Sequence, residues 1–249
     1  MSIWALADLH LSFGVNDKSM DVFGPQWVNY PEKIRNHWLR LVQKEDLVLI
    51  PGDISWALKP EDAQRDLEWI DALPGTKLLL RGNHDYWWTS LNKLEKILPP
   101  SLHLIQNNAF KWQNVAIGGA RLWDTPEFSF DSFIEYHPNP KAKELTPKED
   151  SKDVEKIFQR EFGRLELSLK SLPKDASIRI AMTHYPPISS DLQPSRTSAL
   201  LEKYGISACV FGHLHNVRPN SLPFGIKNGI RYTLASCDYV DFSPVLIHS

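Results

Sequence analysis

Hydrophobic positions along the chain fall into short runs, and most of these runs stop abruptly at a polar residue. Residues 2–7, 47–51 and 77–80 are almost continuously apolar, the pattern of strands buried on both faces. Between them the period changes to that of a helix. Over 31–42, Ile34, Trp38, Leu41 and Val42 recur near helical spacing behind Pro31, a residue suited to a first turn. From Pro60 onward, Ala63, Leu67 and Ile70 repeat the pattern until Gly75 closes the segment. The aromatic run Tyr86-Trp87-Trp88 leads into a short helix that Pro99-Pro100 stops. Strand–helix–strand units of about 30 residues match this spacing, so an α/β fold with parallel strands is expected.

Further along, 102–106 and 115–118 read as short strands separated by an Asn107-Asn108 turn. Residues 124–150 are rich in Pro, Phe, Lys and Glu without a usable period, and are expected to be an insertion or lid within one domain spanning 1–249. Over 151–172, Val154, Ile157, Phe158, Phe162, Leu165, Leu169 and Leu172 form the clearest amphipathic stripe. Strand signals follow at 178–183, 209–211, 231–235 and 245–247, with a short helix at 197–204 closed by Gly205. Pro186 and Pro187 forbid a helix directly after 178–183.

Composition narrows the partners. A chain of 249 residues is near the upper end of what one core holds, and 42% hydrophobic residues with 9 Trp fill it easily. A net charge of -2 gives no electrostatic footprint for nucleic acid. The apolar N-terminal run is interrupted by Asp8 and His10 well before a signal-peptide or transmembrane length, so a cytoplasmic protein without a transmembrane segment is expected. Cys209 and Cys237 are too few for a disulfide framework and read as small buried hydrophobes.

Chemistry concentrates where the apolar runs end. Ala7-Asp8-Leu9-His10, Pro51-Gly52-Asp53, Arg81-Gly82-Asn83-His84-Asp85, Thr183-His184 and Phe211-Gly212-His213-Leu214-His215 each place Asp, Asn or His at a strand end. In α/β folds ligands bind beyond the carboxyl ends of strands, so these groups converge on one site. Asp8 with His10, and His213 with His215, are two apart and in extended chain would face the same way. Carboxylate and imidazole together suit manganese, iron or zinc. Asp53 has two oxygens with which to bridge two ions, and the glycines before Asp53, Asn83 and His213 permit tight turns. The residues read as a two-metal hydrolytic centre. His37, His103, His137 and His248 are left as structural or exposed histidines.

This ordered set, from Asp8-x-His10 to Gly212-His213-x-His215, resembles the calcineurin-like metallophosphoesterases, and the resemblance spans most of the chain. It implies a four-layer sandwich in which two mixed β-sheets are flanked by α-helices. It implies that Asp8, His10 and His215 hold one metal, that Asn83, His184 and His213 hold a second, and that Asp53 bridges them. His84 would act as general acid or stabilise the transition state, with Asp85 orienting its ring. The expected cofactors are two divalent or trivalent ions, manganese first, iron or zinc fitting the same donors. The expected reaction is attack of a bridging hydroxide on a small phosphomonoester or phosphodiester. The alternatives are a nuclease, an enzyme like the UDP-diacylglucosamine pyrophosphatases, a protein phosphatase, or a catalytically weak interaction module on the same fold. Leu214 stands where many relatives carry a small polar residue, which touches substrate details only. Arg81, Arg121 and Arg218 are candidate phosphate-facing cations, and Tyr86, Trp87, Trp88, Trp56 and Trp123 are expected mainly in core packing.

Overall fold

The computed structural model describes residues 1–16, 18–135, 151–218, 221 and 224–249. The apolar runs of the first half become strands β1 (Ile3–Ala5), β2 (Leu47–Pro51), β3 (Thr76–Leu80) and β4 (Leu102–Ile105). Helices α1 (Tyr30–Leu41), α2 (Pro60–Asp71) and the single turn α3 (Leu91–Leu94) connect them. Both long helices carry proline in the first turn, where the missing N–H costs nothing. The second half contributes β5 (Ala109–Trp112), β6 (Val115–Ala120), α4 (Ser151–Lys170), β7 (Ile178–Thr183) and α5 (Arg196–Lys203). It continues with β8 (Ala208–Phe211), β9 (Ile226–Lys227), β10 (Ile230–Leu234) and β11 (Val245–His248).

The strands form two mixed sheets, β11-β1-β2-β3-β4 and β5-β6-β7-β8-β10-β9. β1 to β4 run parallel, as do β6, β7, β8 and β10, while β11, β5 and β9 are antiparallel edges. Alternation along each strand then sorts the core into layers. Val48, Ile50 and Leu79 join Ile34, Trp38, Leu67 and Ile70 of the helices on one side. Their neighbours Leu47, Leu49, Leu78 and Leu80 turn the other way and meet Ile117, Ile180, Met182 and Val210 of the second sheet. The outer face of that sheet packs Ala181, Cys209 and Phe211 with Leu165, Leu169 and Leu201. The result is the expected sandwich, with helices outside two face-to-face sheets. Full burial of each such side chain contributes about 1.5–3 kcal/mol.

Two elements were not legible in the hydrophobic pattern. β5 follows the Asn107-Asn108 turn immediately and is half exposed, and β9 has only two residues. The expected insertion is described only to residue 135, and its remainder, with His137, lies outside the described residues.

Candidate metal centre

Because the inner strands of each sheet are parallel, their carboxyl ends gather along one edge of the sandwich. Asp8 and His10 follow β1, Asp53 follows β2, Asn83 and His84 follow β3, His184 follows β7, and His213 and His215 follow β8. Strand alternation does not aim them, contrary to the expectation for Asp8 with His10 and His213 with His215. Asp8 (φ 59°), His10 (45°), Asp53 (50°) and His213 (73°) all adopt left-handed backbone, so each strand end kinks inward. Such a conformation costs a non-glycine residue of the order of 1–3 kcal/mol and persists where the surroundings enforce it. Here the loops are zipped together: Asp8 N donates to Gly52 O (3.0 Å), His10 N to Asp53 O (2.9 Å) and Gly212 N to His184 O (3.1 Å). Gly52 combines a φ of 101° with a position where a Cβ would strike the His184 ring, and a Cβ on Gly82 would strike the Asp53 carboxylate.

The seven expected metal ligands are brought together. His10 Nε2 lies 3.1 Å from His215 Nε2, and Asp8, His10 and His215 form one group able to share an ion. Asp8, Asp53 and His184 form another. Asn83 Oδ1 lies 2.6 Å from His184 Nε2 and 3.1 Å from His213 Nδ1. Between the two sides, Asp53 Oδ2 is 3.7 Å from His10 Nε2 and 3.5 Å from His184 Nε2. Its other oxygen accepts the backbone N–H of His84 (2.8 Å).

This donor set fits metal ions on its own chemistry. Asp8, His10, Asp53 and His184 are buried, with four imidazoles crowded around two carboxylates, and His10 Nδ1 has no hydrogen-bond partner among the described residues. Burial, helped by the like charge of Asp53, drives the Asp8 carboxyl up to about 6 against the pull of His215 and His184. Burial opposes charge on His184 as well, yet Asp53, Asp8 and the Pro51 carbonyl raise it to about 9. Burial likewise acts against charge on His215, which Asp238 and Asp8 raise to about 9. The carboxylates thus borrow positive charge from histidines, the deficit a bound cation would fill. The tautomers agree: His184 Nδ1 faces Pro51 O (3.0 Å) and His215 Nδ1 faces Asp238 Oδ1 (2.8 Å), which frees both Nε2 atoms as ligands.

Asp238 was not anticipated. It sits in the turn after β10, and its second oxygen accepts Asn216 N (2.9 Å). Asp85 is buried in a different role from the one expected. Its carboxylate accepts from Gly82 N (2.7 Å), Ile54 N (2.9 Å), Ser55 N (3.2 Å) and Trp87 Nε1 (2.9 Å), clasping the β2 and β3 loops rather than the His84 ring. His84 instead packs on Trp56, with centroids 4.7 Å apart, and Trp56 stacks on His10 at 4.9 Å. Trp87 and Trp88 are buried in the core as expected, whereas Trp56 belongs to the site.

Two cavities flank the centre. The larger, about 1140 Å³, lies beyond Trp56 and is lined by Phe13, Val15, Lys18, Met20 and Phe23. The other, about 400 Å³, has His213 and Tyr185 on one wall and Phe128, Phe130 and Ile134 of the inserted segment on another. The described part of that segment docks there through Glu135 N to Asn216 O (2.8 Å) and Arg218 N to Phe133 O (2.9 Å). Arg196 pins its start, with Nε on Glu127 and Nη1 on Glu155, both at 2.6 Å. Neither Arg81 nor Arg121 lines these two cavities. Among the described residues no helix is long and apolar enough to cross a membrane.

Known proteins supply an independent comparison. A protein of Mycobacterium phage D29, Gene 66 protein, is 36% identical over 85 residues, 34% of this chain and 40% of that protein, so this chain spans well under half of its length. The phosphopantetheinyl hydrolase of Mycobacterium tuberculosis has a TM-score of 0.56 at 15% identity, covering 97% of this chain and 90% of its own. The calcineurin-like phosphoesterase YfkN of Bacillus subtilis gives 0.48 at 15%, covering 100% and 88%. At 15% identity the likeness to the hydrolase is one of fold. The family model for the calcineurin-like phosphoesterases matches residues 1–217, through the strand ends that carry every converging donor. The chain belongs to the calcineurin-like phosphoesterase family, whose general chemistry is metal-dependent hydrolysis of phosphoesters.

Proposed function

We propose that this chain hydrolyses a phosphoester at a dinuclear centre, with Asp8, His10 and His215 on one ion, Asn83, His184 and His213 on the other, and Asp53 on both. The observation that carries this reading is Asp53 Oδ2, which lies within 3.7 Å of a histidine nitrogen from each set. A pair of ions held there, manganese by preference, would supply Lewis acidity to activate a water and polarise the phosphoryl oxygens. The protein residues do the rest. Asn83 and His213 position one side of the substrate's phosphoryl group, and the kinked backbone keeps the donors from relaxing apart. Burial pushes the His84 imidazole below its usual value, against the pull of Asp53. Its neutral ring therefore offers an N–H to the leaving oxygen as negative charge develops there.

The leaving group occupies the large cavity past His84 and Trp56. Lined by Phe13, Val15, Met20 and Phe23 together with Lys18, Asp21 and Asn29, that space exceeds the needs of a small monoester alcohol. It favours a phosphodiester or pyrophosphate with a bulky leaving group. The described part of the inserted segment acts as a wall or lid on the opposite cavity. A paired experiment tests the centre, with elemental analysis and a panel of mono-, di- and pyrophosphate esters. Asp53→Asn loses at least one ion and activity, whereas His84→Asn keeps both ions and loses about 100- to 10,000-fold in kcat. Two ions retained in Asp53→Asn refute the bridging assignment.

A further inference from the structure

Beside the metal centre, β3 and β6 end on arginines that face a third, smaller cavity. It measures about 110 Å³ and is lined by Arg81, Arg121 and Arg164, with Glu161, Gln106 and Trp88 among its walls. The one carboxylate there is overcommitted. Glu161 is buried, and its Oε1 accepts from Arg121 (3.2 Å) and Arg164 (2.8 Å) while Arg160 stands 3.5 Å away. Arg81 has no ion pair among the described residues, and the Nε atoms of Arg81 and Arg121 are buried without a hydrogen-bond partner. Arg121 and Arg164 act on Arg81 as like charges, opposed by Asp85 and Glu161. Gln106 gives its carbonyl to Trp88 Nε1 (2.6 Å), which leaves its amide NH2 as the free end.

Donors with surplus positive charge therefore surround a space that holds about three or four waters, taking roughly 30 Å³ for each. Guanidiniums in this arrangement match the oxygens of a tetrahedral oxyanion. We propose that the cavity binds a phosphoryl group through Arg81, Arg121 and Arg164, either as inorganic phosphate or carried on carbon. The site is wired to both sides of the metal centre. Arg81 lies two residues before Asn83, and the Arg121 carbonyl accepts the N–H groups of His184 (3.1 Å) and Tyr185 (3.0 Å). An anion held there stiffens one ligand loop from each sheet.

Equilibrium dialysis of the metal-loaded protein against radiolabelled phosphate reads the number of sites per chain. Arg81→Met and Arg164→Met are each expected to weaken one phosphate site at least tenfold, and Arg164, at 45% side-chain exposure, is replaced without risk to the core. Asp53→Asn is expected to retain that site. If the metal-centre reading alone is wrong, the parent protein binds one phosphate, which both arginine variants lose. If Asp53→Asn abolishes all phosphate binding, or neither arginine variant weakens any, the arginine site is overturned. Methylphosphonate separates the two sources. Displacement of the arginine-held phosphate supports a carbon-borne group, and failure to displace it supports free phosphate.

Discussion

Replacing Asp238 tests whether a carboxylate outside the ligand set governs metal affinity. Its Oδ1 accepts from His215 Nδ1 at 2.8 Å and its Oδ2 from Asn216 N at 2.9 Å, so it fixes both the ring and the backbone behind it. Loss of such a partner typically costs roughly 10- to 100-fold in metal affinity, or about 1.4–2.7 kcal/mol. A second effect opposes the first at neutral pH. In the metal-free protein burial acts against charge on His215, but Asp238 leads the influences that raise it to about 9. At pH 7 a proton thus competes with metal by about two decades. Asp238→Asn relieves that competition, because it removes the charge that holds the proton. The defect in Asp238→Asn should therefore be small at about pH 7 and approach its full size at about pH 9, where wild-type His215 is about half deprotonated and the proton competes by only about twofold. Zinc affinity measured against a competing chelator at both pH values decides the matter. Wild-type affinity in Asp238→Asn at about pH 9 would refute the orienting role.

Three further outcomes are expected. Asp85→Ala strands four donors, Gly82 N, Ile54 N, Ser55 N and Trp87 Nε1. It should lower unfolding free energy by about 3 kcal/mol or more, and a denaturant-measured loss under about 1 kcal/mol would rule out the clasp. His184 and His215, both raised to about 9 in the metal-free protein, must give up a proton to bind. Calorimetric metal titration at pH 7 should release about two protons per chain, with release fading as pH passes about 9, and heats independent of buffer ionisation enthalpy at pH 7 contradict this. Phe130 packs on Phe133 and Phe224 beside the His213 cavity, so Phe130→Ala should raise KM several-fold for bulky esters with metal content intact. An unchanged KM and substrate ranking would remove the lid.

The candidate ligands are legible as a cluster because most are announced twice, by an apolar run and by the residue type that ends it. Asp8, Asp53, Asn83, His184 and His213 follow strands whose two-sided burial makes the run conspicuous. Asp238 escaped notice because one residue of one type, far from the other motifs, carries no pattern until the fold brings it to His215. The role of Asp85 was misjudged for a different reason. The family resemblance implies contact with the His84 ring, but the turn sends the carboxylate inward to backbone N–H groups from two loops. Trp56 likewise reads as a core aromatic from composition, and only geometry places its ring against His10 and His84. Left-handed backbone at Asp8, His10, Asp53 and His213 has no signature in residue type, since glycine precedes two of these positions but occupies none.

The antiparallel strand β11 has a consequence for the order in which a ribosome can deliver this protein. β1 has three residues, and β11 pairs with it from the side opposite β2. Ala7, just before Asp8, exchanges backbone hydrogen bonds with Ala235 O (2.7 Å) and Cys237 N (3.1 Å). Asp8 and His10 are thus synthesised long before β11, yet the framework that holds them is complete only when residue 248 has emerged. At about 5–20 residues per second, tens of seconds separate the two events. Through that interval the nascent chain exposes an unpaired strand edge and loose imidazoles and carboxylates. Assembly of the centre therefore waits on β11, and an edge that must wait for its last partner is where a chaperone would have most to protect.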